Sequence, residues 1–189
     1  MYRKIFDKPL DTLTEADLLA LVERGVTEGP HLDYKRGLGT KGENKELAKD
    51  VVAFANAYGG YLVFGVEETK GGEEGEAEIE IVGLPIEDRD RLLTAIEHAV
   101  RDLTTPSVEV RTKAIELSTR DEQGRPLYVV VVEVPPSLNA PHMASHVFYR
   151  RGDRTSSKMD YMEIRRAFSQ RGDLVRGMRE RLQRRIEDL

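Results

Sequence analysis

The chain has 189 residues, a net charge of −5 and no cysteine. Its length favours one domain, and 39% apolar residues exclude a disordered chain. The lack of cysteine excludes disulfides, thiolate metal sites and cysteine nucleophiles. The first ten residues lack the apolar stretch of a signal peptide, and no apolar run is long enough to span a membrane. We therefore expect a cytoplasmic protein with no membrane partner.

Hydrophobic periodicity along the chain predicts helices interspersed with strands. The predicted helices, in chain order, cover residues 14–24, 43–58, 87–103, 158–169 and 173–188. The predicted strands cover residues 31–36, 61–66, 79–83, 107–117, 127–134 and 146–150. Loops are predicted at 37–42, at the acidic, glycine-rich tip 67–78 and at the turn 121–126. The apolar run 61–66 is typical of a central strand buried on both faces.

Helix boundaries carry capping signals. Thr14 is a predicted N-cap with Asp17 at the reciprocal capping-box position, and Gly25 is the predicted stop. Ser157 and Asp160 predict the same arrangement before the helix over 158–169.

The predicted fold is a single α/β (α+β) domain. It has a mixed β-sheet of about five or six strands flanked by helices, with a C-terminal amphipathic helix. Residues 1–169 form the predicted domain, and residues 170–189 form the helix, which docks on the sheet or pairs with a second chain. Residues 150–189 hold 12 Lys and Arg against seven Asp and Glu, so this end is either a basic contact surface or a solvated helix.

The sequence contains no P-loop, Rossmann fingerprint or nucleophile elbow. The sequence contains instead a group of acidic residues that we expect to lie near Lys35 in the fold. Asp33 and Lys35 are two apart in a predicted strand and so share a face. Glu28 precedes that strand, and Glu67 and Glu68 follow the central one. Converging carboxylates can hold Mg²⁺ or Mn²⁺, which activates water for attack on a phosphodiester, with the lysine stabilising phosphate charge. The alternative is a surface ion pair of Asp33 with Lys35.

Four segments, in order, resemble the Schlafen-type Alba-like domain family, which is often labelled DNA-binding. They are EGPHLDYK (28–35), DVVAFANAYGGYLVFGVEE (50–68), VEVP (132–135) with Pro141 and His142, and YRRGDRT (149–155). The second is the most specific. The resemblance implies a nucleic-acid-binding domain over about residues 25–165.

The resemblance also implies catalytic roles. Family members that cut tRNA and rRNA use three acids, which correspond here to Glu28, Asp33 and Glu68, with Lys35 adjacent. Asp33 and Glu68 exchange the family's Glu and Asp, so the charge is kept while the reach differs. The implied activity is a metal-dependent endoribonuclease acting on structured RNA such as tRNA, with Mg²⁺ or Mn²⁺ held by the three acids. Those nucleases have two lobes, so a homodimer through the C-terminal helix is expected for this single lobe.

Basic residues near the end of the domain are candidate nucleic-acid contacts. Arg150, Arg151 and Arg154 surround Gly152 before a predicted helix, and either contact phosphate or form ion pairs. Further candidates are Arg36 and Lys158. RNA is the favoured partner, with DNA as the other nucleic acid. The alternatives are a non-catalytic DNA- or RNA-binding regulator and a protein-interaction or nucleotide-sensing domain.

Overall fold

The computed structural model describes residues 5–38, 44–70 and 77–172. The helices are α1 (Glu15–Glu23), α2 (Asn44–Ala55), α3 (Arg89–Leu103) and α4, which is described over residues 161–172, and a 3₁₀ turn covers Leu10–Thr12. The strands are β1 (Leu32–Lys35), β2 (Gly60–Phe64), β3 (Val66–Lys70), β4 (Ala77–Ile81), β5 (Leu84–Pro85), β6 (Thr104–Thr105), β7 (Arg111–Arg120), β8 (Pro126–Val134), β9 (Met143–Ala144), β10 (Val147–Arg151) and β11 (Ser156–Lys158).

The principal sheet is mixed and has five strands. β8 lies between β2 and β7, because its residues 130–133 pair with both. β1 runs parallel to β2, while β2, β5 and β7 run antiparallel to β8. The predicted single-domain mixed α/β fold is confirmed.

Both faces of this sheet are buried. Leu62, Val130 and Val132 face a core formed with α2 and α3. Val63, Val129 and Val131 face a second core, which includes α1 and the 3₁₀ turn. Successive side chains of a strand point to opposite faces, so the uninterrupted apolar sequence of β2 and β8 supplies both cores at once. The predicted central strand is confirmed over residues 61–64. It ends at Phe64, and Val66 begins β3 in a separate two-stranded sheet.

A smaller four-stranded sheet, in the order β11-β10-β9-β6, packs beside α2. Asn56, just after α2, fixes it in place: its Nδ2 donates to the carbonyls of His142 and Tyr149, each at 2.8 Å. Its Oδ1 accepts from the His142 amide at 2.6 Å. The Phe-Ala-Asn-Ala-Tyr-Gly-Gly segment (residues 54–60) therefore ends α2 and also anchors this second sheet. The sheet carries the basic loop, residues 152–155 between β10 and β11, which includes Arg154.

Local signals at the start of the domain are confirmed. Thr14 and Asp17 form the capping box of α1, and Gly25 follows the helix with a φ of +59°, the left-handed conformation that favours glycine.

Several element boundaries differ from prediction, and three of these differences are explained by strand pairing or by a hydrogen bond. Residues 66–70 are a strand, β3, which pairs with β4, so the acidic loop is shorter than predicted. β7 begins at Arg111 rather than at residue 107, because Val108 N donates to Thr104 Oγ1 in a turn after α3. Residues 156–158 pair with β10 as β11, so the helix begins at residue 161. Asp160 is its cap, through reciprocal bonds with Glu163.

The predicted helix over 173–188, and with it the proposed dimer contact, lies outside the described residues. Within the described ranges, no helix is long and apolar enough to cross a membrane. The cytoplasmic location stays a prediction.

Candidate functional site

β1 places Asp33 and Lys35 on the face of the sheet that packs against α2. Lys35 Nζ lies 2.6 Å from Asp33 Oδ2 and 3.3 Å from Asp50 Oδ2 on α2. Asp33 and Asp50 are almost fully buried, while 39% of the Lys35 side chain is exposed. Burial opposes the lysine's charge, but Asp50 and Asp33 outweigh it and raise the Lys35 pKa. The predicted shared face of Asp33 and Lys35 is thus confirmed, and the lysine is a stable cation.

Arg151 closes this cluster from β10. Its Nη2 lies 3.0 Å from Asp33 Oδ1 and donates to the carbonyls of Gly29 and Leu32 at 3.0 and 3.2 Å. Its guanidinium carbon lies 4.5 Å from the centre of the Phe54 ring. Only 1% of the side chain is exposed. Arg151 therefore joins β10 to β1 from inside the protein and offers no donor to solvent.

Glu28 and Glu68 form an adjoining pair of acids. The Glu28 amide donates to Glu68 Oε2 at 2.6 Å, and Glu28 Oε1 accepts from the Tyr34 amide at 2.9 Å. Partial burial is the main cause that raises the pKa of Glu28, the Tyr34 amide opposes it, and the charges of Asp33 and Glu68 add to it. A glutamate in this setting holds its proton more tightly than usual. The three predicted acids thus lie in one region of the fold.

Glu67 lies on the other side of β3 from Glu68, since neighbouring strand residues alternate. It pairs with Arg36, whose side chain is 70% exposed. Glu68 instead pairs with Arg154 at 2.8 Å. The structure therefore distinguishes the two glutamates and places Glu68 beside Glu28, as the sequence resemblance implied.

Three of the predicted nucleic-acid contacts, Arg150, Arg154 and Lys158, have exposed side chains. Arg154, in the loop between β10 and β11, is 51% exposed. Arg150 is 51% exposed and pairs with Glu163 at 2.8 Å. Lys158, in β11, is exposed. Of the three arginines predicted around Gly152, two therefore face solvent and the third, Arg151, is buried.

A family model described as Schlafen, AlbA_2 matches residues 28–160. The chain belongs to this family. The matched residues include every candidate site residue named above. No curated protein is significantly similar to this chain in sequence.

Two solved structures resemble this Schlafen, AlbA_2 domain. The first is the solution NMR structure of the N-terminal domain of an ATP-dependent DNA helicase RecG-related protein from Nitrosomonas europaea. It is 20% identical with a TM-score of 0.52, and the match covers 79% of this chain and 94% of that chain. This likeness supports the fold. The second, the DIP2311 protein from Corynebacterium diphtheriae, is 15% identical with a TM-score of 0.46, covering 75% of this chain and 26% of that one.

The carboxylates of this Schlafen, AlbA_2 domain are engaged by protein groups. Both oxygens of Asp33 lie against Arg151 and Lys35, and both oxygens of Glu68 lie against Arg154 and the Glu28 amide. Among the described residues, no group of three or more acidic or histidine side chains could hold a metal ion. The arrangement does not fit a metal centre at Glu28, Asp33 and Glu68, so we derive no step through a metal. The Mg²⁺ or Mn²⁺ dependence stays a prediction.

Sequence reasoning did not assign a role to Asp50 or Ser156. Asp50 accepts a hydrogen bond from Ser156 Oγ at 2.8 Å and pairs with Lys35, which ties α2 to β11 and β1. The sequence held one signal for a structural role of Asp50, because this acid directly precedes an apolar run on α2. The structure shows that Asp50 is buried. An acid at such a position needs a buried partner.

Proposed function

We propose that this domain binds nucleic acid through phosphate contacts from Arg36, Arg150, Arg154 and Lys158. The observation that carries the proposal is the exposure of these cations, with 70% of Arg36 and 51% of Arg154 open to solvent. Arg36 directly follows β1, and Arg150 and Arg154 flank the buried Arg151 in sequence. Membership of the Schlafen, AlbA_2 family supports it, since that resemblance implies nucleic-acid binding.

Each of the three arginines pairs with a glutamate that orients its guanidinium for contact with a phosphate. Glu67 orients Arg36, Glu68 orients Arg154, and Glu163 orients Arg150. A planar guanidinium binds phosphate in two-pronged geometry, and exposed ion pairs are worth only about 0–1 kcal/mol. A phosphate can therefore displace Glu67 from Arg36, or Glu163 from Arg150, at little cost. Glu68 is only 6% exposed, so a phosphate would bind Arg154 beside Glu68 rather than replace it.

The test is fluorescence anisotropy with labelled single-stranded RNA, tRNA and DNA over a series of salt concentrations. We expect affinity to fall linearly on a log–log plot against salt, as phosphate contacts require. The triple variant Arg36→Gln, Arg154→Gln, Lys158→Gln should weaken binding and flatten the slope by about 2–3.

A matched triple variant keeps the total charge change equal. Arg89→Gln, Arg101→Gln and Arg120→Gln remove three exposed arginines from α3 and β7. This variant should bind as the wild type does. Equal losses in both variants, or binding that is insensitive to salt, would overturn the proposed surface.

A second candidate function is endoribonuclease activity on structured RNA such as tRNA. The contact between Glu28 and Glu68, with Asp33 close by, supports it, as does the raised pKa of Glu28, because a raised pKa is the direction that general acid–base catalysis by a glutamate requires. We test it by incubating tRNA and DNA with the protein in Mg²⁺, Mn²⁺ or EDTA.

The informative variants for cleavage are Glu28→Gln and Glu67→Gln. Glu28→Gln keeps an oxygen that can accept from the Tyr34 amide, so the local structure is retained. Glu67 faces away from Glu28 and Glu68 and serves as the matched control. Loss of cleavage in Glu28→Gln alone supports the nuclease, whereas equal cleavage in both variants excludes this site as its source.

A further inference from the structure

A cavity of about 340 Å³ opens on the α2 side of the sheet, beside Lys35. It lies between α2, α3 and β2, and none of Glu28, Glu68 or the proposed phosphate-binding cations lines it. Its volume falls within the usual range for small-molecule sites. This cavity is therefore separate from the acids and from the exposed arginines.

The walls are apolar and fixed. Leu62 and Phe64 come from β2 and Ile96 from α3, and all three are buried core residues. Leu47 of α2 and Leu92 of α3 complete the sides and are half-buried. Such walls contact the flat faces of a ligand without needing to rearrange.

The polar corner of the cavity presents a donor beside an acceptor. Lys35 and Asp50 both line the cavity, and Lys35 Nζ lies 3.3 Å from Asp50 Oδ2. The surrounding charges balance, because Asp33 and Asp50 face Lys35 and Arg151. The other acid that lines the cavity, Glu46, pairs with Lys49. An anionic ligand would gain no net attraction here. The corner instead suits a neutral group whose edge carries adjacent acceptor and donor atoms.

We propose that this cavity takes a single unpaired nucleobase of a bound strand. A nucleobase has flat faces that pack on apolar side chains, and its edge carries neighbouring hydrogen-bond donors and acceptors. Arg36 directly follows Lys35, so a cation that can hold the strand's phosphate is next in sequence to the polar corner. The inference rests on the proposed nucleic-acid binding and narrows its ligand to strands with unpaired bases.

The test compares two labelled single strands of equal length, one intact and one with abasic positions, by fluorescence anisotropy. Both carry the same phosphates, so only the bases differ. Stacking of one base on an aromatic side chain such as Phe64 strengthens binding measurably, and we expect the intact strand to bind roughly tenfold more tightly than the abasic strand.

Ala95→Phe fills the cavity from an exposed position on α3. It should remove the preference for the intact strand and leave abasic binding unchanged. Thr94→Phe adds the same side chain at the adjacent exposed residue, which does not line the cavity, and should keep the preference. Thermal unfolding checks both variants, and Ala95→Leu replaces Ala95→Phe if the larger side chain prevents folding.

The outcomes separate this inference from the proposed function. Equal binding of the intact and abasic strands by the wild type overturns the base site and leaves phosphate binding in place. A preference that survives the filling of the cavity also overturns it. Absence of binding to either strand overturns both proposals.

Discussion

Asp33 and Arg151 form a buried ion pair across 118 residues of sequence, with Arg151 Nη2 3.0 Å from Asp33 Oδ1. The exposed fractions of their side chains are 5% and 1%. This pair connects the edge of the principal sheet to the smaller sheet that carries the basic loop. The loop with Arg154 is therefore positioned by a contact that solvent does not reach.

Arg151→Met should be strongly destabilising, because it removes one of the two cations, Arg151 and Lys35, that contact the buried Asp33. Removing one partner of a buried pair costs about 3–5 kcal/mol. Arg150→Met, at the neighbouring exposed position, breaks a surface pair worth about 0–1 kcal/mol. Urea unfolding measures both, and similar losses would contradict a structural role specific to Arg151.

Glu28→Gln should stabilise the protein at neutral pH. The folded state raises the pKa of Glu28, mainly through burial, so the folded protein binds this proton more tightly than the unfolded chain does. The stability that this group contributes is then greatest at low pH and falls as pH rises through the folded pKa. Glutamine has no charge to bury and keeps an acceptor for the Tyr34 amide.

The comparison is urea unfolding of wild type and Glu28→Gln at neutral pH and near pH 4, about the ordinary pKa of a glutamate. The variant's advantage should shrink at the lower pH. Glu122→Gln, in the exposed turn between β7 and β8, is the matched control for the loss of one carboxylate. A constant difference for Glu28→Gln would show that burial of its charge has no part in stability.

Glu67→Gln should strengthen nucleic-acid binding at low salt. Glu67 pairs with Arg36, so its carboxylate competes with phosphate for that guanidinium. The control is Glu122→Gln, which removes one negative charge at a position distant in sequence from Arg36. It measures the effect of the change in net charge alone. Anisotropy titrations should give a gain for Glu67→Gln that exceeds the gain for Glu122→Gln, and equal gains would exclude competition at Arg36.

Gly60→Ala should destabilise the fold. A Cβ at this buried position would lie 2.5 Å from the Phe54 ring and 2.8 Å from the His31 carbonyl oxygen. Overpacking of this kind costs about 1–3 kcal/mol. At Gly37, where a Cβ would meet nothing within 4 Å, the same substitution should change stability by less than about 0.5 kcal/mol. Denaturant midpoints distinguish the two, and a neutral Gly60→Ala would refute the steric requirement.

Much of the fold follows from local patterns. The apolar run at residues 61–66 predicts a strand buried on both faces because no polar residue interrupts it, and the structure confirms this over residues 61–64. The capping residues Thr14 and Asp17 fix the start of α1 through bonds within one turn. Gly59 and Gly60 predict the end of α2 at residue 58, because adjacent glycines stop a helix, but the helix ends at Ala55 and residues 56–58 form a turn.

The parts that were missed depend on contacts distant in sequence. Residues 156–158 have the polar composition of a helix cap, but their pairing with β10 makes them a strand and moves the cap to Asp160. Arg151, at the end of β10, and Arg154, in the loop that follows, are three residues apart and look alike in the sequence. Only the tertiary structure shows that Arg151 is buried and that Arg154 is exposed. The partnership of Asp50 with Lys35 likewise requires α2 to be placed against β1.

Asn56 has a consequence for local opening of the domain. Its side-chain amide bonds residues 86 and 93 positions away, so it joins α2 to the smaller sheet through contacts that are distant in sequence. We expect the His142 amide proton to exchange with deuterium by a partial opening that leaves the valines of β8 protected. One asparagine would then separate two cooperative units of unequal stability within a single domain, with the basic loop belonging to the unit that opens first.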